Sequence, residues 1–242
     1  MQLRSIFVFF SVLATATSTP VRSRCSLGPK PPTPGNPGIT YVLPITDGTQ
    51  SLPAPNKTIK HIAVGHGVQN YTCTATGAQA ASVGALAVLY DITGLYPGSG
   101  SGALSQSDWD TLTSKVLRTT DDPITEPTTQ SGSPFPPAAS LHVPGVSGYL
   151  PFLGHHYFNA AVPTFSLGNG AEVLSVQKVQ GIPAPHSADA GLHGEGAVDW
   201  LFLADSAGNE VYRVLTSGGD PAACGAAGQT QSVDYTAMYW FY

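Results

Sequence analysis

Charge is scarce in this chain. Only 10% of its 242 residues are Asp, Glu, Lys or Arg, and acids outnumber bases by 15 to 10. Without a basic surplus there is little to neutralise a phosphate backbone or an anionic lipid surface, so neither nucleic acid nor membrane is expected as a partner. No internal apolar run approaches the roughly 20 residues a helix needs to cross a bilayer. Several catalytic signatures are missing: there is no G-x-S-x-G nucleophile elbow, no H-E-x-x-H and no C-x-x-C. Cysteine is limited to Cys25, Cys73 and Cys224. In an oxidising compartment an odd count leaves one thiol over, either free or shared with a second molecule. Pairing Cys73 with Cys224 would close a loop of about 150 residues and contribute roughly 4–5 kcal/mol on the chain-entropy model.

What is present at the N-terminus points to an oxidising compartment. "MQLRSIFVFFSVLATATSTP" has a basic Arg4, a short apolar stretch from Ile6 to Ala14, and small residues at plausible cleavage positions. That is the anatomy of a secretory signal peptide, assigned to residues 1–18. The sequence therefore predicts a secreted, extracellular protein. Asn56-Lys57-Thr58 and Asn70-Tyr71-Thr72 are N-glycosylation sequons and fit the same route.

Residues 19–55 form a Pro-rich leader, with Pro20, Pro29, Pro31, Pro32, Pro34, Pro37, Pro44, Pro53 and Pro55. Proline removes amide donors and fixes φ, so this part should be extended or irregular. Its end, around "YVLPI", is expected to dock on the domain. Residues 56–242 read as one domain, long enough for a single sizeable core.

The regular segments of that domain read as strands. "KHIAVG" and "VGALAVLYDI" are short, apolar and flanked by Gly. "AEVLSVQKV" alternates, with Val173, Ser175 and Gln177 set against Leu174, Val176 and Lys178. "GAVDWLFLAD" puts Val198, Trp200 and Phe202 on one face and Leu201 and Leu203 on the other, so both faces should be covered. A turn at "DSAGNE" joins it to "NEVYRVLT" as a hairpin. "SVDYTAMYWFY" aligns Tyr235, Ala237, Tyr239 and Phe241, residues suited to a pleated, buried surface. Only "SQSDWDTLTSKVLR" reads as helix, capped by Ser105 or Ser107, with Trp109, Leu112 and Val116 on one face. The sum is an all-β fold, a single-domain β-sandwich or barrel with long Gly/Pro-rich loops and one or two short helices.

Gly98, Gly100 and Ala103 spell G-x-G-x-x-A between a strand and this helix, the pattern of a dinucleotide fingerprint. Such a fingerprint works only inside a βαβ unit, where the glycines admit a pyrophosphate to a helix N-terminus. Here the helix is followed by "DDPITEPTTQSGSPFPP", rich in breakers, and no β-α alternation continues. The stretch reads as a surface loop, and no nicotinamide or other cofactor is expected.

Histidines offer the other chemistry. His155 and His156 are adjacent; His193 and Glu195 lie in the loop "HSADAGLHGEGAVDW". Imidazole with carboxylate can bind a divalent metal or serve as general acid and base. His155 or His156 with His193 and Glu195 is the candidate ligand or metal cluster, although adjacent strand residues point opposite ways. The plainer alternative has one histidine bonded within a buried loop and the others in solvent. A histidine-brace copper site does not fit, because cleavage would expose Thr17 or Thr19 rather than histidine. Asp199 and Arg213 are placed to form a structural pair across the predicted hairpin. Gly218 and Gly219 either make a tight turn or admit a ligand to the backbone.

"VGHGVQNYTC", "GALAVLYDI", "GHHYF", "GAVDWLFL", "EVYRVLTSGGDPAAC" and "YTAMYWFY" occur in this order. Together they resemble the DUF3455 family, secreted proteins of fungi and some bacteria, over roughly residues 50–242. The resemblance implies an all-β extracellular domain of unestablished function without agreed catalytic residues. Family members sometimes carry a malate dehydrogenase label, which the residues above do not support. The resemblance also favours a Cys73–Cys224 disulfide. Fungal relatives often carry a further cysteine where this chain reads Ile92-Thr93-Gly94, so Cys25 is left to a lost partner, a different pairing or a dimer.

Three roles follow. The first is a non-catalytic domain binding an extracellular polysaccharide, cell wall or other ligand, with Tyr149, Phe152, Tyr157, Phe158 and Trp240 as rings able to stack on sugars. The second is a secreted hydrolase or metal-dependent enzyme built on the His/Glu cluster. The third is a structural or partner-binding role, including a dimer through Cys25.

Overall fold

A computed structural model describes residues 38–46, 50–119 and 138–242, together with Ile124 and Phe135. The signal peptide, Cys25, the first part of the leader and Asp121–Asp122 lie outside the described residues. No helix among the described residues is long and apolar enough to cross a membrane.

The strands run in chain order as β1 (His61–Thr72), β2 (Ala81–Asp91), the helices α1 (Gln106–Asp110) and α2 (Leu112–Leu117), β3 (Leu141–His142), β4 (Tyr149–Leu150), β5 (Phe152–Asn159), β6 (Val162–Leu167), β7 (Glu172–Ser175), β8 (Gln177–Ile182), β9 (Trp200–Ala204), β10 (Glu210–Gly218) and β11 (Thr230–Phe241). β3 and β4 make a small separate ribbon; the other nine form one sheet, ordered β7-β6-β5-β2-β1-β11-β10-β9-β8. All nine ladders are antiparallel. The sheet's two outermost strands, β7 and β8, are consecutive in the chain and separated only by Val176. The run from 172 to 182 thus pairs with β6 along its first half and with β9 along its second. That brings the two edges together and nearly closes the sheet into a barrel, which removes most of the exposed edge an open sheet would carry.

Both faces of the sheet are apolar because both are covered. Inside the barrel, Ala63, Ala87, Leu89, Phe165, Leu167, Val211, Tyr235, Tyr239 and Phe241 pack together. Outside, Ile62, Val64, Val88, Tyr212, Met238 and Trp240 pack under Trp109, Leu112 and Val116 of the two helices. Trp240 meets Trp109 edge-on at 6.3 Å and Tyr96 at 5.8 Å. Each such large side chain removed from water stabilises the fold by roughly 1.5–3 kcal/mol. The alternation read in β11 therefore holds, and so does the doubly covered face of β9. One detail differs. Val198 precedes β9 and packs with Leu201 and Leu203 in the inner cluster, not with Trp200 and Phe202. Alternation stops where the strand stops, and Ala197 lies outside β9 in an isolated bridge to Gly219.

Two glycines permit the barrel's curvature. A Cβ on Gly67 would lie 1.9 Å from the Leu86 carbonyl oxygen, and one on Gly154 2.0 Å from that of Ser166. Any side chain there collides with the neighbouring strand's backbone, as expected at a sharply coiled barrel corner.

Ser105 caps the first helix: its hydroxyl accepts from the Asp108 amide at 3.1 Å. The expected single helix breaks at Thr111 into two short ones, and Trp109, Leu112 and Val116 still face the sheet, all buried. The end of the leader docks as anticipated. Tyr41 and Leu43 pack on the outer cluster, and the Val42 amide donates to the Tyr96 hydroxyl at 2.9 Å. Cys73 and Cys224 form a disulfide. It ties the end of β1 to the segment between β10 and β11.

Candidate functional site

The inner face of a barrel this size is filled by side chains for part of its length. Towards the end where β1 passes into β2 and β5 turns into β6, a cavity of about 860 Å³ opens. Gln69 and Tyr71 of β1, Phe158 of β5, Lys178 of β8 and Arg213 of β10 line it, with Asp199, Asp220 and Glu195 supplied by adjoining loops.

Register explains how these side chains come together. Arg213 sits across the ladders from Tyr239 and Leu201, both inward-facing, so its guanidinium enters the barrel. Its Nε and Nη2 both donate to the Asp199 main-chain carbonyl, at 3.0 and 2.8 Å. The expected Asp199–Arg213 link thus forms through the backbone, not the carboxylate. Behind it, the Tyr235 and Tyr239 hydroxyls share a hydrogen bond of 2.9 Å. Burial pushes both phenols upward; Arg213's charge opposes the shift at each. Tyr71 is pushed up to about 12, by burial first and then by the Asp220 carboxylate, and its hydroxyl donates to the Gly219 carbonyl at 2.7 Å. Gln69 is buried, with 4% of its surface exposed; its Nε2 lies near the Tyr235 hydroxyl but makes no well-formed hydrogen bond among the described residues. Burial also raises the Asp220 carboxyl, as does the nearby Asp199, while Arg213 lowers it.

The "TSGGDP" glycines serve close packing at this rim. Gly218 has φ +66°, and a Cβ there would lie 2.8 Å from the Asp234 carbonyl and 3.0 Å from Gly191 Cα. This permits the 185–198 loop to lie on β10, with Gly218 accepting from Val198 at 3.0 Å and donating to the Asp189 carbonyl at 2.8 Å. The loop is also held by Arg118, whose guanidinium grips both carboxylate oxygens of Asp189. Burial pushes the Asp189 carboxyl up, but the Arg118 bond, the Gly191 amide, Ser114 and Arg118's charge together hold it below the usual carboxylate range.

The histidines named from the sequence are dispersed. His156 faces the barrel interior, stacked on Phe165 at 4.3 Å, with its Nδ1 3.0 Å from the Thr164 carbonyl. Burial, chiefly, lowers it to about 4. His155 faces outward, stacked on Phe135 at 4.0 Å, and burial lowers it too. His193 and Glu195 are exposed, and Glu195 alone of the four lines the cavity. Among the described residues no group of three or more His, Cys, Asp or Glu is placed to hold a metal ion. Of the rings proposed for stacking, Phe158 reaches the cavity, Tyr149 is exposed, and Trp240 is fully buried under α1. Asn56 is exposed; Asn70 is partly covered and accepts from Ser232 Oγ at 2.7 Å.

The sequence reading did not single out Gln69, Tyr71, Lys178 or Asp220. A signal did exist for two of the cavity's residues. Gln69 continues the face of Ala63, Gly65 and Gly67, and Arg213 continues that of Val211. A polar residue at an inward position of an otherwise apolar face marks where the interior turns wet.

The stretch around Gly98–Ala103 is a surface loop. Cβ atoms on Gly98, Gly100 and Gly102 would meet nothing within 4 Å. No parallel ladder exists among the described residues to make the crossover a dinucleotide site requires.

The class defined by fold and cavity is an antiparallel β-barrel with a solvent-open, charge-lined mouth. A family model for proteins of unknown function, DUF3455, matches residues 53–242, and the chain belongs to that family. No curated protein matches the chain, and no solved structure does.

Proposed function

We propose that this chain is a secreted, non-catalytic domain that takes a terminal unit of an extracellular polysaccharide into its barrel mouth. One observation carries the reading: an 860 Å³ cavity that sets hydrogen-bonding groups of both kinds around the partly buried ring of Phe158. A sugar presents hydroxyls, which donate and accept, and a flat C–H face that packs on a ring. Asp199 and Asp220 accept, Arg213 and Gln69 donate, and Phe158 offers the packing surface. The signal-like N-terminus, the disulfide and the two sequons support secretion.

The test is binding to a glycan array and to insoluble wall polysaccharides, with Phe158→Ala as control. Binding that Phe158→Ala weakens about tenfold supports the reading; no binding across a broad panel overturns it. Enzymatic release of N-glycans should lower the mass of the secreted protein, and N-terminal sequencing should begin near residue 19.

A second reading has one observation behind it. Asp220 is raised by burial and by Asp199, and a carboxyl held up in this way can serve as the general acid in glycoside hydrolysis. Release of reducing ends from a bound oligosaccharide, abolished in Asp220→Asn, would establish hydrolysis in place of simple binding.

A further inference from the structure

The polar groups of the mouth are sorted by depth. Arg213, which only donates, and Gln69, whose amide nitrogen donates beside an acceptor oxygen, stand on the inner face of the barrel. The acceptors Asp199 and Glu195 are exposed at the rim, with Asp220 partly buried beside them. A ligand matching this order carries an acceptor-rich group at its leading end and hydroxyls behind.

We infer that the inner end of the mouth is a seat for the carboxylate of a sugar acid, held by Arg213 and Gln69, with the sugar's hydroxyls meeting Asp199, Asp220 and Glu195. The inference rests on the binding reading above and names the ligand's chemical class.

Three observations support it. Arg213 makes no ion pair within 4.0 Å among the described residues. Its Nε and Nη2 are spent on the Asp199 carbonyl, which fixes the plane of the fork while leaving the charge uncompensated in contact. The groups behind it are neutral: the Tyr235 and Tyr239 phenols, both raised, and His156, lowered to about 4. Gln69 is the independent sign of a ligand. Its amide nitrogen is buried in a side chain that lines the cavity and, though near the Tyr235 hydroxyl, makes no well-formed hydrogen bond among the described residues, whereas buried donors are nearly always satisfied. A carboxylate oxygen would satisfy it while a second oxygen met a guanidinium N–H not spent on Asp199, a single charge-assisted hydrogen bond. Lys178, at the rim, adds a second positive charge along the entry path.

The rim carboxylates oppose an anion, so the discriminating comparison is between one oligosaccharide and its own neutral form. Purified secreted protein is titrated calorimetrically with a trigalacturonate, a triglucuronate and the carboxyl-reduced counterpart of each. The acidic form of at least one should bind about tenfold or more tightly than its reduced form, as a hydrogen bond to a charged group implies. In Gln69→Met and Arg213→Lys the acidic and reduced forms should converge. The wild-type ratio decides the matter even if a variant fails to fold. Equal or tighter binding of the reduced forms removes the carboxylate seat and leaves the sugar-binding reading standing. Absence of binding to all four, and to the wider glycan panel, removes both.

Discussion

His156 gives the sharpest link between burial and pH. Its ring lies between strands, stacked on Phe165 and 5.5 Å from Tyr239, and its Nδ1 reaches the Thr164 carbonyl. Charging it inside the barrel is penalised first by desolvation, with Arg213's charge adding to the penalty, and it is lowered from 6.5 to about 4. In the unfolded chain the same imidazole protonates near its ordinary value. Between those two values the unfolded state binds more protons than the folded state, so stability rises with pH across the window and falls on acidification. A shift of this size corresponds to about 3 kcal/mol, present above the ordinary value and gone once the pH drops through the folded one. For a domain of this length that is about 10 °C in melting temperature. Asp189 and Asp205 are held low and lose their contributions mainly below the histidine window. Asp220, held high, acts in the opposite direction. The difference between wild type and His156→Phe isolates the histidine from all three. At neutral pH the variant should be less stable by roughly 1–3 kcal/mol, because the Thr164 carbonyl loses its donor. By pH 4.5 the gap should close or reverse. Urea unfolding followed by tryptophan fluorescence at both pH values measures it. Parallel loss of stability in the two proteins would refute the claim that this imidazole is buried and neutral.

Removing the disulfide by Cys73→Ser with Cys224→Ser frees a link spanning 151 residues. The chain-entropy ceiling is about 5 kcal/mol, so the melting temperature should fall by at least several degrees, and an unchanged melt would argue against the bond. Gly67→Ala should cost roughly 3 kcal/mol or more, since its Cβ meets backbone at 1.9 Å. Gly65→Ala should cost less, because there the nearest atom belongs to the Tyr239 ring; equal losses in denaturation experiments would count against the curvature argument. Ser105→Ala removes the cap of α1 and should cost about 1 kcal/mol in the same assay, with no change in sugar binding.

The alternation of "SVDYTAMYWFY" and "AEVLSVQKV", the turn at "DSAGNE" and the Ser105 cap are local patterns, set by the geometry of a pleat or a helical turn. For that reason the all-β class, the strands and the helical face were legible in the sequence. The order of elements around Gly98–Ala103, a strand, a loop and a helix without continuing β-α alternation, is likewise a pattern along the chain. Sandwich or barrel was not decidable there: it turns on Val176, where one run of chain changes pairing partner from β6 to β9. The candidate site was legible only in fragments. Adjacent histidines attract attention in a sequence, but a strand sends them to opposite faces, and burial made one a neutral core ring. Gln69, Lys178, Arg213 and Asp220 are distant in sequence and carry no shared motif. They form one cavity because barrel register turns the inner faces of the strands carrying Gln69, Lys178 and Arg213 toward a common axis, and the segment after β10 brings Asp220 to the same rim. Composition and periodicity thus determined class and elements, which depend on neighbours in the chain. Closure and the polar mouth were decided by long-range pairing, which no local pattern encodes.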